Sequence, residues 1–119
     1  MIFVAKNEND VPSWKLVLDG KKIVTRRLKP MPIGKDFAVQ PGRGKHAICR
    51  AVVTDCQRSF DHFHKYASNP ELYQSINEYK QHEADCEGFL SWDGLMKWFQ
   101  SHGIQFKDTY RIEFQVLKQ

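Results

Sequence analysis

Short strand-like segments lie toward both ends of this chain and enclose a middle part with helical spacing. Apolar and β-branched residues predict strands at 1–5, 23–27, 37–39, 46–55 and 109–117. Helical spacing recurs at 60–66, 71–81 and 91–102, and a short helix capped by Ser13 is expected to end at Asp19. This order predicts an α+β fold. We expect its small, mostly antiparallel sheet to close into a β-barrel, with helices flanking it and inserted before the last strand.

The length and the cysteines limit the class of protein. A chain of 119 residues predicts a single domain over 1–119, which buries roughly two thirds of the surface of its unfolded chain. Cys49, Cys56 and Cys86 form an odd set without the spacing of a zinc knuckle, so neither a disulfide framework nor a zinc site is expected. The apolar runs are short and the amino terminus does not resemble a secretory signal. We therefore expect a cytoplasmic monomer without a membrane segment.

The charge is unevenly distributed along the chain. The formal net charge is +4, and most of the excess lies between residues 15 and 45, where only Asp19 and Asp36 are acidic. The segment from 61 to 93 is acidic instead. This polarity favours an anionic partner such as a nucleotide or a nucleic acid on the basic side, with carboxylates supplied by the other part of the chain.

The basic stretch at 20–27 is the first candidate site. It reads Gly-Lys-Lys-Ile-Val-Thr-Arg-Arg and holds four cationic side chains and one hydroxyl. Gly20 permits a tight turn, Lys22 and Thr25 are an amine and a hydroxyl suited to nucleophilic catalysis, and Arg27 can hold an anion or a carbonyl oxygen. A solvated basic strand is the alternative interpretation.

Catalysis by Lys22 and Thr25 makes two demands on the fold. The lysine pKa must fall from about 10.4 toward neutrality, which burial and the neighbouring cations favour. Residues three apart on a straight strand point to opposite faces, so the two side chains meet only if Lys22 lies on the turn after Gly20 or on a bulge.

Glu87 is the candidate carboxylate. It lies in Asp-Cys-Glu-Gly-Phe, where a cap or an exposed loop residue is the alternative. In the functional interpretation Glu87 reaches the basic stretch, where it orients Lys22 or exchanges a proton with a leaving amine.

The remaining candidates have structural alternatives that we favour. The turn 41–45 places two glycines around Arg43 and lets the backbone approach a phosphate or a carbonyl, although it also fits a plain hairpin turn. The histidines at 62 and 64, near Cys56, match no usual zinc spacing. Cys86 has no histidine placed to activate it, and we expect it to be inert. The aromatic residues Phe89, Trp92, Trp98 and Phe99 suit a core, and one of them can border a base-stacking pocket.

The stretch 20–27 resembles the Gly-x-Lys-x-x-[Thr/Glu]-x-Arg signature of the ASCH domains, a branch of the PUA-like β-barrel superfamily. The similarity extends to the prolines at 30–34, the turn 41–45, the Glu-Gly-Phe element at 87–89 with Ser91 and Trp92, and the last strand. It implies a small PUA-like barrel whose cleft handles RNA or modified nucleosides. The small bacterial members that the chain most resembles include amidohydrolases that remove the acetyl group from N(4)-acetylcytidine.

The resemblance implies a site for each family residue. The family lysine falls on Lys22, its hydroxyl residue on Thr25 and its glutamate on Glu87. We expect Lys22 to take the Thr25 proton, Thr25 to attack the amide carbonyl or to orient a water, and Glu87 to protonate the departing amine.

The substrate-binding residues are expected to be Arg27, Arg26, Gly20 and Arg43, with Arg27 or the backbone N–H groups near Gly20 stabilising the oxyanion. Neither a metal nor a cofactor is expected. Arg26 and the long segment before Glu87 depart from the family pattern, so acyl groups larger than acetyl are among the expected substrates. Base, nucleoside and RNA are alternative carriers of that group. The alternative functions are an RNA-binding module and a ribonuclease that use the same basic cleft.

Overall fold

The computed structural model describes residues 1–117 as an α+β fold. In chain order the elements are α1 (Ser13–Leu18), β1 (Val24–Arg27), β2 (Asp36–Val39), β3 (Cys49–Arg58), α2 (Ser59–Tyr66), α3 (Ile76–Glu87), α4 (Trp92–Ser101), a 3₁₀ turn (Phe106–Asp108) and β4 (Tyr110–Val116). The α+β class is confirmed, and α2, α3 and α4 lie before the last strand as predicted. Within the described residues, no helix is long and apolar enough to cross a membrane.

The four strands form one antiparallel sheet in the order β1-β4-β3-β2. The sheet is not closed, so the predicted barrel is wrong: β1 and β2 are its edges. The predicted strand at 1–5 is also wrong, because this segment makes an isolated bridge from Ile2 to Gln40 instead of a ladder. Arg27 in β1 donates from Nη2 to the carbonyl oxygen of Ile2 at 2.9 Å. A side chain therefore joins the amino-terminal segment to β1 where a closed barrel would have backbone pairing.

Strand β3 lies three residues later than predicted at both ends. The buried alternation of Cys49, Ala51 and Val53 is confirmed, whereas Ala47 is exposed in the turn before the strand. A register shift between Val53 and Asp55 lets β3 continue along β4 to Arg58. A bulge of this kind raises the local twist, and the strand end turns directly into α2.

Serine caps begin the two longer helices. Ser75 accepts a hydrogen bond from the backbone of Glu78 at the start of α3, and Ser91 accepts one from Gly94 at the start of α4. Such a cap stabilises a helix by about 1 kcal/mol. Ser13 does not act as predicted: Pro12 precedes the first turn of α1, and Ser13 lies buried inside the helix.

Two apolar clusters hold the elements together. The first packs α1 and the amino-terminal segment against the sheet and consists of Phe3, Val17, Phe37, Val39, Cys49, Ala51, Val53, Ile112 and Phe114. The second joins the end of α3 to α4 and consists of Ala84, Phe89, Leu95 and Phe99. Each large side chain buried in this way stabilises the fold by about 1.5–3 kcal/mol. Residues of both clusters, Phe3 in the first and Phe89, Leu95 and Phe99 in the second, border a single cavity.

Candidate active site

A cavity of about 840 Å³ lies among the amino-terminal segment, β1, the end of α3 and α4. Its volume falls in the upper part of the range of roughly 300–1,000 Å³ that is usual for small-molecule sites. The charged residues of its wall are Lys6, Lys22, Arg26, Arg27, Lys29 and Glu87. Thr25 also borders it, so the structure brings the three candidate catalytic side chains together with Arg26 and Arg27.

Two helix ends of the same type place Lys22 beside Glu87. After α1, the N–H of Gly20 donates to Val17 and that of Lys21 to Leu16, which is the Schellman pattern, and Gly20 has the positive φ of 73° that the pattern requires. Helix α3 ends in the same way at Gly88, with φ 85°. Lys22 thus lies on the connection after Gly20, which is one of the two positions from which its side chain was expected to be able to reach the side of Thr25. Both residues border the cavity.

The two ends pack closely and are hydrogen bonded to each other. The N–H of Ile23 donates to the carbonyl of Cys86 at 2.9 Å. A Cβ added to Gly88 would lie 2.8 Å from Leu16 Cδ1 and 3.5 Å from Lys22 Cβ. Glycine at 88 therefore serves both the backbone conformation and the approach of Lys22 to Glu87.

Lys22 is buried and its ammonium group is fully hydrogen bonded. Nζ donates to the carbonyl of Val24 at 2.8 Å, to the carbonyl of Glu87 at 3.0 Å and to Glu87 Oε1 at 2.9 Å. Three acceptors match the three N–H donors of an ammonium ion, so Lys22 is charged at rest. Burial lowers the pKa of Lys22 below its ordinary value, and the negative charge of Glu87 opposes this effect. The proton is held, yet it is easier to remove than that of a solvated lysine.

Glu87 is ionised between two cations. Its Oε1 accepts from Lys22 and its Oε2 accepts from Arg26 Nη1 at 3.1 Å. Burial alone would raise its pKa, but the charges and hydrogen bonds of Lys22 and Arg26 outweigh burial and lower it. The sequence-based pairing of Glu87 with the basic stretch, across 65 positions, is thus present in the structure.

Thr25 lies on β1 and borders the cavity. Oγ1 accepts a hydrogen bond from Arg27 Nε at 3.2 Å. The expected hydrogen bond between Lys22 and Thr25 is not formed among residues 1–117, because all three Lys22 donors have other partners. The Thr25 hydroxyl keeps its own proton for a ligand or a base.

Arg27 is held in a fixed orientation next to Thr25. Its Nε contacts Thr25, its Nη2 contacts the Ile2 carbonyl, and its guanidinium lies 5.1 Å from the centroid of the Phe3 ring. Nη1 has no hydrogen bond within the described part of the chain. Two of the five guanidinium N–H groups are engaged, so Arg27 keeps free donors, including both N–H groups of Nη1, on a side chain that is anchored to Thr25. Donors fixed in this way suit a developing oxyanion.

Arg26 holds the carboxylates in place. It donates from Nε to Ser59, from Nη1 to Glu87 and from Nη2 to Glu83. Arg26 borders the cavity, but its three hydrogen-bonding nitrogens are directed to side chains of α2 and α3, whereas Arg27 contacts Thr25 and Ile2. The donors of Arg26 are directed to the protein, which departs from the substrate-binding role expected of it.

Gly20 and Arg43 are not part of the cavity wall. The N–H groups of Gly20, Lys21 and Lys22 donate to carbonyls at the end of α1, so they are not free to bind an oxyanion. Arg43 is exposed in the turn between β2 and β3. Among the described residues, Arg27 is the candidate from this set that combines a free donor with a position on the wall.

Sequence reasoning missed Glu83 and Arg111, which extend the buried ion pairs. Glu83 is fully buried and accepts from Arg26 Nη2 at 2.7 Å and from Arg111 Nη2 at 3.0 Å. These charges and hydrogen bonds outweigh burial and lower the pKa of Glu83 from 4.5 to about 2. Glu83 and Glu87 are four residues apart and share one face of α3. The available sequence signal was this spacing, because an aromatic residue, Tyr79, lies four positions before Glu83 on the same face.

The cysteine and histidine candidates have structural partners. Burial raises the pKa of Cys86 to about 11, so its thiol is protonated at neutral pH. His62 Nδ1 lies 2.7 Å from the Tyr79 hydroxyl, and burial lowers its pKa to about 4. His82, Glu83 and Cys86 lie close enough to share a metal ion, but both Glu83 oxygens are held by guanidinium groups and the thiol is protonated. This donor set does not suit a metal.

Aromatic residues of α4 form one side of the cavity. Trp98 is half-buried and its ring stacks on His102 with centroids 4.2 Å apart and planes at 24°. Phe89, Leu95 and Phe99 supply an apolar wall beside it. A planar base is suited to such a surface.

The cavity combines an ion pair, a hydroxyl group, a directed guanidinium and an aromatic wall. Comparisons with models of protein families, with curated proteins and with solved structures found no match for the chain.

Proposed function

We propose that this protein is a metal-independent amidohydrolase of the ASCH type. It removes the acyl group from the exocyclic amine of N(4)-acetylcytidine or a related N(4)-acylcytosine compound. The proposal rests on one observation above all: the buried pair of Lys22 and Glu87 borders the same cavity as Thr25 and Arg27. The resemblance of residues 20–27 to the ASCH signature supports assignment to this family. The open sheet departs from the closed barrel of that family.

The reaction begins with a proton transfer inside the ion pair. Lys22 must lose a proton before it can act as a base, and Glu87 Oε1, at 2.9 Å, is the carboxylate placed to receive it. Burial favours the neutral amine and carboxylic acid, whereas Arg26 favours the ionised carboxylate. Entry of a substrate excludes more water and shifts this balance toward the neutral pair.

In the attack on the amide, Thr25, Lys22, Arg27 and Glu87 each have one role. The Thr25 oxygen bonds to the acyl carbon while its proton moves to Lys22, and Arg27 Nη1 donates to the developing oxyanion. Collapse of this intermediate breaks the bond from carbon to nitrogen, and the departing amine takes the proton held by Glu87. Cytidine leaves, Thr25 carries the acyl ester, and Lys22 and Glu87 are again an ammonium and a carboxylate.

Hydrolysis of the ester returns the enzyme to its starting state. A second transfer from Lys22 to Glu87 frees the amine, which takes a proton from water as the water oxygen attacks the acyl carbon. Glu87 then returns its proton to the Thr25 oxygen as the ester breaks and the carboxylic acid leaves. In the alternative, Thr25 orients the water for direct attack on the amide and no acyl ester forms.

Release of cytidine from N(4)-acetylcytidine tests the proposal. We expect Thr25→Val, which keeps the shape and removes the hydroxyl, and Lys22→Met, which keeps the length and removes the amine, each to lose about 10²–10⁴-fold in kcat. Lys21→Ala is the matched control, because Lys21 is exposed and does not border the cavity. A wild-type protein that releases no cytidine, or full activity in both site variants, refutes the proposal.

Mass spectrometry of the acid-quenched reaction separates the two roles of Thr25. An acyl group on the peptide that contains Thr25 identifies a nucleophile. A protein that turns over without this adduct uses Thr25 to orient water. Thr25→Ser should retain activity in either case because it keeps the hydroxyl.

RNA binding is the second candidate, favoured by the cations Lys6, Arg27 and Lys29 on the cavity wall. Binding of single-stranded RNA through these groups should weaken steeply as salt is added. Hydrolysis of the neutral nucleoside should change little. Binding of unmodified RNA without cytidine release would favour the binding module.

A further inference from the structure

The buried cations of the cavity wall form ion pairs with carboxylates, whereas the cations nearer the solvent do not. Lys22 is paired with Glu87, and Arg26 with Glu83 and Glu87. Lys6, Arg27 and Lys29 also belong to the wall, and within residues 1–117 none of them has a carboxylate at salt-bridge distance. Glu87 is the single carboxylate among the described wall residues, and both its oxygens already accept from cations.

The unpaired cations lie on the solvent side. Lys6 and Lys29 are exposed, whereas Arg27 is half-buried and contacts Thr25. Three like charges around one opening repel one another, and a neutral ligand does nothing to relieve that repulsion. An anion held at the opening would relieve it, while the inner pair would be free to act on an uncharged amide.

The two types of cation suit different tasks. The Arg27 guanidinium is fixed by Thr25, the Ile2 carbonyl and the Phe3 ring, so its free N–H groups keep a defined orientation beside Thr25. Lysine ammonium groups on long flexible stems act as mobile point charges, which suits a phosphate on a flexible ribose. Of the three unpaired cations, Lys6 and Lys29 are therefore the ones suited to bind a phosphate.

We propose that the substrate carries a phosphate on its ribose, so that the cavity accepts an acylated cytidine nucleotide in preference to the free nucleoside. This inference rests on the proposed function for the end of the ligand that reacts. Lys6 and Lys29 bind the phosphate outside the cavity, and the acylated base enters against Trp98. The phosphate belongs either to a free nucleotide or to a residue in an RNA chain, and the chemistry that Lys6 and Lys29 recognise is the same.

Competition between two substrates tests the inference. At low ionic strength, kcat/KM for N(4)-acetylcytidine 5′-monophosphate should exceed that for N(4)-acetylcytidine. The ratio of the two values should fall roughly two- to fivefold in Lys29→Gln and in Lys6→Gln, the value of one exposed charge pair. Added salt should lower kcat/KM for the monophosphate, and this dependence on salt should be weaker in each lysine variant than in the wild type. Lys35→Gln, an exposed lysine outside the cavity wall, should leave the ratio unchanged.

Equal kcat/KM values for the two compounds, or an unchanged ratio in both lysine variants, overturn the inference. If neither compound is hydrolysed, the proposed function fails, and calorimetry with cytidine 5′-monophosphate and cytidine then decides the phosphate inference alone. Tighter binding of the monophosphate that Lys29→Gln weakens supports it, and equal binding or no binding overturns it. A short single-stranded oligonucleotide with one acetylated cytidine separates the sources: faster turnover than the monophosphate indicates RNA, and slower turnover indicates the free nucleotide.

Discussion

Replacing Glu83 by glutamine removes a buried negative charge while keeping the size of the side chain. Glu83 accepts from two guanidinium groups, those of Arg26 and Arg111, and is fully buried. A glutamine in its place leaves one carbonyl oxygen for these donors and turns an amide N–H₂ toward one of them. Among residues 1–117, the two arginines would then keep Glu87 and Glu113 as their anionic partners.

The pKa of Glu83 sets the expected size of the effect. Folding lowers it from 4.5 to about 2. At about 1.4 kcal/mol per pK unit, this shift corresponds to about 3 kcal/mol of stability at neutral pH. Breaking a buried ion pair by removing one partner typically costs about 3–5 kcal/mol, which agrees with that figure. We expect the glutamine variant to lose about 3 kcal/mol of unfolding free energy at pH 7.

Acid should reduce the difference between the two proteins. Because the folded pKa is lower than the unfolded one, the stabilisation is complete well above pH 4.5 and is lost as the pH falls toward 2. By about pH 3.5 the wild type should have lost about 1.4 kcal/mol of this contribution, while the glutamine has no proton to gain.

Urea unfolding of both proteins between pH 7 and pH 3.5 measures the effect. Asp85→Asn is the control, because Asp85 lies on the same helix, is exposed, and within residues 1–117 its carboxylate accepts from Gln81 alone. It should change stability by less than about 0.5 kcal/mol. A loss below about 1 kcal/mol in Glu83→Gln at pH 7, or a difference that does not shrink in acid, would refute the reasoning.

Two further predictions concern the surroundings of the site. In chemical denaturation, Gly88→Ala should destabilise the protein by about 1–3 kcal/mol more than Gly103→Ala. Both glycines have positive φ, so the backbone strain is similar. The difference is that a Cβ at 88 would lie 2.8 Å from Leu16 Cδ1, whereas a Cβ at 103 has no atom within 4 Å. Equal losses would contradict this assignment. Glu8→Gln should speed amide hydrogen exchange at Leu90 and the following residue, whose N–H groups donate to the Glu8 carboxylate. Burial alone would raise the pKa of Glu8, but these hydrogen bonds outweigh burial and lower it. The protection of the two amides by Glu8 should therefore be present above about pH 4.5 and fade in acid. Exchange rates at pH 7 that do not change in Glu8→Gln would contradict this prediction.

The local part of the site could be predicted from sequence because its residues lie close together in the chain. The turn at Gly20 and the positions of Lys22, Thr25 and Arg27 on the cavity wall follow from one stretch of eight residues. The hydrogen-bond partner of Lys22 did not follow from it. Sequence reasoning directed the amine to the nearby hydroxyl and to Glu87, and of these two contacts the structure has the one to Glu87. Burial of the ammonium requires three acceptors, and the end of α3 supplies two of them.

The bounds of α3 illustrate a second limit of pattern reading. The helix was predicted at 71–81 and lies at Ile76–Glu87. Its buried face carries Glu83 and Glu87, so the usual contrast between apolar and charged faces is absent there. Charges that are buried in pairs look like solvent-exposed charges in a sequence, because their partners lie on other elements.

The barrel was predicted from the number and kind of strands, and closure depends on more than these. A closed sheet requires its edge strands to pair along their length with a consistent stagger. Here the amino-terminal segment contacts Gln40 by a single bridge and receives a side chain from β1 at Ile2. A cationic side chain that replaces strand pairing is not visible in the hydrophobic pattern.

The mutual neutralisation of Lys22, Arg26, Glu83 and Glu87 makes the interior of the site insensitive to dissolved ions. Counterions weaken attraction between exposed charges over about 8 Å at physiological ionic strength, but they do not enter a dry, closely hydrogen-bonded group of side chains. A rise in ionic strength would therefore slow the arrival of the proposed anionic substrate at the opening and leave the hydrogen bonds and charges of the inner pair unchanged. The rate at which the substrate reaches the opening depends on the exposed cations, and the reactivity of the site depends on the buried ion pair. Substitutions can therefore alter one of these properties without disturbing the other.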